Sequence, residues 1–343
     1  MQSAVIRPWT AAAVALLGAG AVAAGPVVMP NAGAVAVDIL LAAQDNITLD
    51  LVRHGQSEDN FNGILGTIPP GAPLTVKGWE EAAYLADPAN PQHLAAPDFY
   101  AGIYASEFIR AQDTAHGWLI AAEAPDTPLT ILSGLNEINA GWFEGQDLNL
   151  LTEIAYALPT FMWVLGQYWV PMLGSEIDPN GVAFNDRVTE AIETIYGNTV
   201  ADPEGSLNDV AFAHAGTIAI WTLMNVKNPD FGLVLNALLD THSPLGNTGQ
   251  VEIEGNPTDG WTLLRWEGHE VAQTPDLLTG LFVDWRDLNV APQIATWHIL
   301  EALQGGDQAE IAAALQTGFD QVVGALTAFP QAVLDTITGA LTG

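Results

Sequence analysis

The run Leu51-Val52-Arg53-His54-Gly55-Gln56-Ser57, with Asn60 just beyond, joins a cation to an imidazole at the end of an apolar stretch. A strand ending in Arg-His-Gly sets both groups at the carboxyl edge of a sheet, where α/β folds bind ligands. Gly55 lets the main chain come close to an oxyanion. Further runs follow in order: Pro73-Leu74-Thr75 with Gly78, then Ser106-Glu107-Phe108-Ile109-Arg110-Ala111-Gln112-Asp113-Thr114-Ala115. After these come Leu135-Asn136-Glu137 with Gly141, Glu144 and Gly145, and finally His214-Ala215-Gly216. Only 8 Lys and Arg stand against 40 Asp and Glu, for a net charge of −32, so Arg53 and Arg110 are informative by their scarcity. An anion bound here needs a local cationic pocket that prevails at contact distance, because the global field repels it.

These groups need elements to hold them. Residues 47–52 read as a strand ending at Arg53, and 75–87 as a helix with Thr75 as N-cap. Residues 99–105 read as a second strand, and 111–122 as a second helix. An amphipathic helix is expected over 185–196, a buried strand over 210–213, and a helix over 217–226. The pair 250–254 and 260–265, around a Gly/Asn/Pro turn, reads as a hairpin. Strands alternating with helices predict an α/β fold, a three-layer α/β/α sandwich with a mostly parallel sheet and an antiparallel edge.

Two segments stand outside that core. Residues 154–175 carry no charge and hold Phe161, Trp163, Tyr168 and Trp169, while Pro159, Gly166 and Pro171 make them a poor membrane span. Within an insertion of about 150–182 they read as an apolar lid over the site. A buried structural insertion and a membrane-touching element are the other readings. After Arg286 there is no Lys or Arg, and residues 308–341 show apolar positions at helical spacing, broken at Pro330. This predicts a helical C-terminal extension, 291–343, docked on the protein itself or on a partner.

At the other end no charge lies between Arg7 and Asp38, and residues 11–24, AAAVALLGAGAVAA, have the length of a signal-peptide core before small residues. Residues 1–36 therefore read as a signal peptide or an uncleaved N-terminal anchor, 37–46 as a linker and 47–290 as the α/β domain. The expected localisation is exported, either secreted or in the cell envelope. The acidity speaks against nucleic acid and anionic membrane surfaces as partners, leaving membrane contact to the N-terminus and the apolar segments. With no cysteine, disulfides, thiolate metal sites and cysteine nucleophiles are excluded. No HxH, HExxH or Asp-rich loop suggests a metal, so His93, His116, His242, His269 and His298 read as bystanders.

Taken in order, with Arg-His-Gly, Ser-Glu and His-Ala-Gly each at a strand end, these runs resemble the histidine phosphatase superfamily, also called phosphoglycerate-mutase-like. The resemblance covers roughly residues 47–266. Its specific features are the Asn seven residues after Arg53 and the Ser-x3-Arg-Ala-x2-Thr-Ala run beginning at Ser106. It implies that His54 is the nucleophile, and that Arg53, Arg110 and His214 form a phosphate pocket. The two guanidinium groups would also keep His54 neutral and stabilise charge developing in the transition state. Glu137 matches the general acid of the Arg-His-Gly branch. The other branch carries an Asp directly after the second His, where this chain has Ala215. Asn60, Ser57 and Thr67 are candidate phosphate contacts, and Glu107 and Glu144 are rivals to Glu137. No cofactor and no metal is implied.

The expected function is hydrolysis of a small-molecule phosphomonoester through a phosphohistidine, of the histidine acid phosphatase type. If the insertion is a lid, its Trp, Phe and Met content points to a leaving group with an apolar body. Ile138-Asn139-Ala140 lacks the Arg and Tyr that mutases carry, and the usual Glu-Ser ahead of the helix bearing Arg187 is absent. Both departures favour a phosphatase. The alternatives are a phosphomutase of the same fold, and an exported binding or envelope protein that leaves the site unused.

Overall fold

The computed structural model describes residues 45–241 and 243–342. The leader or anchor, most of the linker and His242 lie outside the described residues. The described chain forms β1 (Ile47–Arg53), α1 (Glu58–Asn62), α2 (Val76–Tyr84), β2 (Gly102–Ala105), α3 (Ile109–Ala121) and β3 (Thr130–Ile131). Then follow α4 (Leu150–Val164), α5 (Gly181–Val200), β4 (Asn208–Ala213), α6 (Ala215–Asn225) and α7 (Phe231–Thr241). Last come β5 (Gln250–Asn256), β6 (Gly260–Trp266), β7 (His269–Glu270), α8 (Leu277–Gly305) and α9 (Gln308–Thr342).

The strands build one seven-stranded mixed sheet in the order β3-β2-β4-β1-β5-β6-β7. β1, β2, β3 and β4 run parallel, and β5, β6 and β7 form an antiparallel meander on the β1 edge. Apolar side chains alternate along β1 because successive residues face opposite sides of a sheet. Leu49 and Leu51 enter a core with α5 and α6. Val52 enters a second core with Trp118 and Leu119 of α3 and Phe212 of β4. Two cores on two faces make the three layers.

Register brings the histidines together. In the parallel β1–β4 pair Arg53 lies opposite Ala213, so the next residues, His54 and His214, leave the sheet side by side. Ala105 of β2 lies opposite Phe212, which puts the Ser106 run at the same edge.

Thr75 caps α2 as expected, its hydroxyl accepting from Gly78 N. The second strand is shorter than the sequence suggests because Pro97–Phe99 forms one helical turn. The helix over 185–196 extends to Gly181–Val200, begun by the Asn180 side chain accepting from Val182 N and Ala183 N.

The apolar insertion divides in two. Trp163, Val164, Tyr168 and Met172 are buried, Trp163 stacks on Phe184 at 5.5 Å, and Trp163 Nε1 donates to Val170 O at 2.7 Å. This half is core. The outward face of α4, with Leu150, Leu151, Ile154 and Leu158, is exposed. No helix among the described residues is long and apolar enough to cross a membrane.

Two expectations for the C-terminal region are corrected. α8 runs through the 290/291 boundary, and α9 continues through Pro330. A proline inside a helix removes one main-chain bond and crowds the carbonyl four residues back, a cost that the packing of α9 along α8 offsets. α9 packs along α8, with Thr336 Oγ1 donating to Asp284 Oδ2 at 2.9 Å. A Cβ on Gly280 would lie 2.7 Å from Thr336 Cγ2, so glycine permits this close approach.

Candidate active site

His54 begins the loop after β1 and is buried. Its Nδ1 lies 2.7 Å from Gly55 O, and its Nε2 lies 3.0 Å from Arg110 Nε. A carbonyl only accepts and a guanidinium only donates. The pair of contacts therefore fixes the proton on Nδ1 and the lone pair on Nε2. Burial and the nearby cations Arg110 and Arg53 hold the His54 pKa well below the ordinary imidazole value, against the Gly55 hydrogen bond. The ring is neutral and its free electron pair is aimed.

Arg110 is buried at the start of α3. It donates through Nη2 to Gly66 O at 3.0 Å, and its guanidinium lies 4.2 Å from the Phe108 ring centroid. Asp59 stands 3.7 Å from Nη1. Arg53 donates through Nη1 to Leu245 O at 2.6 Å and to Ser243 Oγ at 3.1 Å. Its pKa is lowered to about 10, chiefly by burial, with Glu137 opposing.

His214 caps the strand-to-helix turn into α6, its ring 5.1 Å from that of His54. Ser106 Oγ lies 2.8 Å from His214 Nε2 and accepts from Phe108 N at 3.3 Å. Where the hydroxyl donates to Nε2, His214 carries its proton on Nδ1. That Nδ1, Arg53 Nε and Arg110 Nη1 are buried polar atoms with no hydrogen-bond partner in the protein. Buried donors normally have partners. Three such nitrogens on residues that adjoin His54 suit a tetrahedral oxyanion.

Glu137 sits at the N-terminus of α6. Its Oε1 accepts from Ile138 N and Thr217 N, each at 2.9 Å, and from Thr217 Oγ1 at 3.1 Å, while Oε2 accepts from Gly216 N at 3.3 Å. Any Cβ on Gly216 would fall 2.7 Å from Oε1, so this seat requires glycine. Glu137 is also within electrostatic range of both Arg53 and Arg110.

Arg53, His54, Arg110, Glu137 and His214 are thus brought together. The secondary candidates are not equal to them. Ser57 and Asn60 form a capping box for α1, Asn60 Oδ1 accepting from Ser57 N at 3.1 Å and Ser57 Oγ from Asn60 N at 3.2 Å. The Thr67 hydroxyl donates to Glu144 and accepts from Ala140 N at 2.8 Å, so it braces the loop and has no proton left for a ligand. The same bond commits Glu144, whose carboxylate also accepts from Thr67 N. Glu107 is exposed and holds Asn136 Nδ2 at 2.7 Å. Neither replaces Glu137. Gly55 serves packing: a Cβ there would lie 2.6 Å from Gly78 O, where the loop presses on α2.

Several supporting groups carry no sequence signal of their own. Thr114 Oγ1 accepts from Gly55 N at 2.9 Å, and Arg187 ties Asp178 to Gly134 O and Asn136 O below Glu137. Tyr156 of α4 donates to Ile138 O at 2.8 Å. Burial, together with Glu137, Asp178 and Glu144, raises its pKa well above the ordinary phenol value. Ser106 and Thr114 lie inside a recognised run, yet only the fold reveals what they hold. Among the described residues no group of three or more His, Asp or Glu is arranged to hold a metal.

A mixed α/β sheet with an Arg-His-Gly strand end, a second His after the neighbouring strand and a loop Glu held at the N-terminus of the following helix defines a phosphoryl-handling class. Residues 49–268 match the histidine phosphatase superfamily, branch 1, and the chain belongs to that superfamily. It is 40% identical over 301 residues to the PE-PGRS family protein PE_PGRS11 of Mycobacterium tuberculosis, a match over 86% of this chain and 49% of that protein. The chain thus spans about half the length of this relative. It is 30% identical over 174 residues to 2,3-bisphosphoglycerate-dependent phosphoglycerate mutase 2 of Gloeobacter violaceus, covering 50% of this chain and 71% of that one. Among solved structures, a phosphoglycerate mutase from Bacillus anthracis aligns with a TM-score of 0.41 at 21% identity, over 64% of this chain and 92% of that one.

Proposed function

We propose that the protein hydrolyses phosphomonoesters through a phosphohistidine on His54. One observation carries this reading: the His54 Nε2 lone pair, fixed by the Gly55 O contact on Nδ1, faces a cluster of buried guanidinium and imidazole donors. In the first step Nε2 bonds to phosphorus, the ester P–O bond breaks, and the leaving oxygen takes a proton from Glu137. In the second step water gives a proton to the Glu137 carboxylate and attacks phosphorus. The N–P bond breaks and its electron pair returns to Nε2. Nδ1–H stays on Gly55 O throughout, while Arg53 and Arg110 neutralise the equatorial oxygens and His214 donates to one of them.

A phosphomutase is the competing reading, because one relative bears that name. Against it, Ile138, Asn139 and Ala140 are buried and present no cation to a second substrate group. Arg187 is committed to Asp178 and two carbonyls. We place the activity outside the cytoplasm on the leader-like run 11–24, which N-terminal sequencing of the chain recovered from an export-competent host will check.

The test is phosphate release by the full chain from p-nitrophenyl phosphate and a panel of sugar, amino-acid, nucleotide and alkyl phosphates, with His54→Ala as control. Turnover lost in the control, and a phosphoenzyme trapped by acid quench in the wild type, are expected. Isomerised product without free phosphate would move the assignment to a mutase.

A further inference from the structure

The C-terminal hairpin of α8 and α9 leaves a long apolar stripe uncovered. One side of α9 faces α8, where a Cβ on Gly318 would lie 3.1 Å from Ala295 Cβ and Val322 shares a groove with Leu288. On this side Ala325 and Phe329 are half-buried. Beside it runs a second apolar row, beginning Leu315, Phe319, Val323 and Leu326. After Pro330 the row continues as Leu334, Ile337 and Leu341, and these side chains are 38% to 82% exposed. No described residue covers them. With Pro330 included, the spacing is 4-4-3-4-4-3-4. This is an 11-residue repeat of about 3.67 residues per turn, which keeps a row on one side of a helix along its whole length. The α9 carboxylates, Glu310, Asp320 and Asp335, all fall outside the row.

We infer that this stripe is the interface of a homodimer, in which α9 of one copy lies antiparallel against α9 of a second copy. A two-fold axis demands a surface that reads alike from both ends. About a centre near residue 328, Leu315 meets Leu341, Phe319 meets Ile337, and Leu326 meets Pro330, with Val323 and Leu334 one residue out of register. The same alignment sets Leu334 of the second copy opposite Val322. Val322 lines a groove of about 290 Å³ between α8 and α9, with Trp285, Leu288 and Pro292. A knob therefore meets a hole.

Area agrees: the exposed parts of the stripe amount to roughly 700 Å² per copy, near the ~800 Å² per partner of a standard specific interface. Charge selects the occupant. α9 has no Lys or Arg, and neither does any residue after Arg286. Helices that lie on anionic lipid carry a basic polar face, which is missing here. A second copy needs only the apolar row, and it brings its own net charge of −32. Salt must therefore strengthen the association by screening the repulsion.

The experiment is sedimentation velocity of the full chain from ~1 to ~100 μM in about 50 and about 500 mM NaCl. Wild type is compared with Phe319→Glu/Leu326→Glu and with the uncharged pair Phe319→Gln/Leu326→Gln. The wild type is expected to form dimers that tighten several-fold at the higher salt. Both variants should remain monomeric, with unchanged helical circular dichroism and phosphate release. A wild type that stays monomeric throughout, or variants that associate as it does, would overturn the inference. So would a monomeric wild type that floats with phosphatidylcholine vesicles through the same two side chains.

Discussion

Arg110 Nε donates to His54 Nε2 at 3.0 Å. The nitrogen that would attack phosphorus is therefore held by the guanidinium that would bind the phosphate. Attack requires this N–H to pass from the ring to a phosphate oxygen, so one arginine both orients the nucleophile and receives the charge. Phe108 beneath the guanidinium and Gly66 O on Nη2 keep its plane fixed during that exchange.

Arg110→Lys is accordingly not conservative. A lysine keeps the charge but loses the planar fork and the Nε–H directed at His54. A fall in kcat/KM of about 10²–10³-fold is expected, the scale for losing one directed transition-state donor. Steady-state kinetics on p-nitrophenyl phosphate measures it; a loss within a few-fold would mean that charge alone suffices.

The pH profile follows from the neutral imidazole. Burial, Arg110 and Arg53 depress the His54 pKa well below 6.5, so the ring stays unprotonated as pH falls through that value. After correction for the second ionisation of the phosphate, near pH ~6, the acid limb of kcat/KM should lie below pH 6.5. Removing a neighbouring cation favours the imidazolium, so Arg53→Met should move the limb upward. A limb at the ordinary imidazole value in the wild type, unmoved in the variant, would contradict the assignment of His54 as the titrating nucleophile.

The parallel half of the sheet and five clustered residues were legible because their signals are local. A hydrophobic run ends at Arg53, another ends before His214, and strand register does the rest. The bond from Thr67 to Glu144 is not legible, because the partner lies 77 residues away and no local pattern announces it. The Ser106–His214 contact spans 108 residues and was hidden for the same reason. Pro330 misled in the opposite direction. A proline costs a helix one main-chain bond and a clash with the carbonyl four residues back, and the tertiary packing that offsets this cost is not written in residues 326–334. The insertion mixed two roles at helical spacing: its inward Trp163 is core and its outward Leu158 is exposed.

Glu137→Gln separates the acid from the binding groups. Glutamine keeps one oxygen to accept, as Oε1 does, from Ile138 N and Thr217 N but has no acidic proton to deliver. The loss should depend on the leaving group, modest for p-nitrophenol, which departs without help, and about 10²–10⁴-fold for an alkyl phosphate. The measurement is kcat/KM, which reports only the first step, for the two substrates in wild type and variant. An equal loss on both would assign Glu137 to positioning alone.

Asp209 gives a prediction about the fold. It is fully buried on β4, Thr199 Oγ1 donates to its Oδ2 at 2.6 Å, and its Oδ1 has no partner. Burial raises its pKa to about 6 from 3.8. A carboxyl whose folded pKa is raised binds its proton more tightly when folded. Its contribution is fully present below pH 3.8 and is lost as pH rises through about 6. At neutral pH the wild type therefore holds a buried charge that costs up to about 2–3 kcal/mol. Asp209→Asn keeps the shape and the acceptor for Thr199 while removing that charge. The variant should be the more stable protein at about pH 8, with the difference shrinking as the acid pair of measurements approaches about pH 4. Because both chains share every other titrating group, the opposing effects of His54 and His214 cancel in the comparison. Urea unfolding at the two pH values reads the difference directly, and a variant less stable than wild type at about pH 8 would show that the Asp209 carboxylate is needed as a charge.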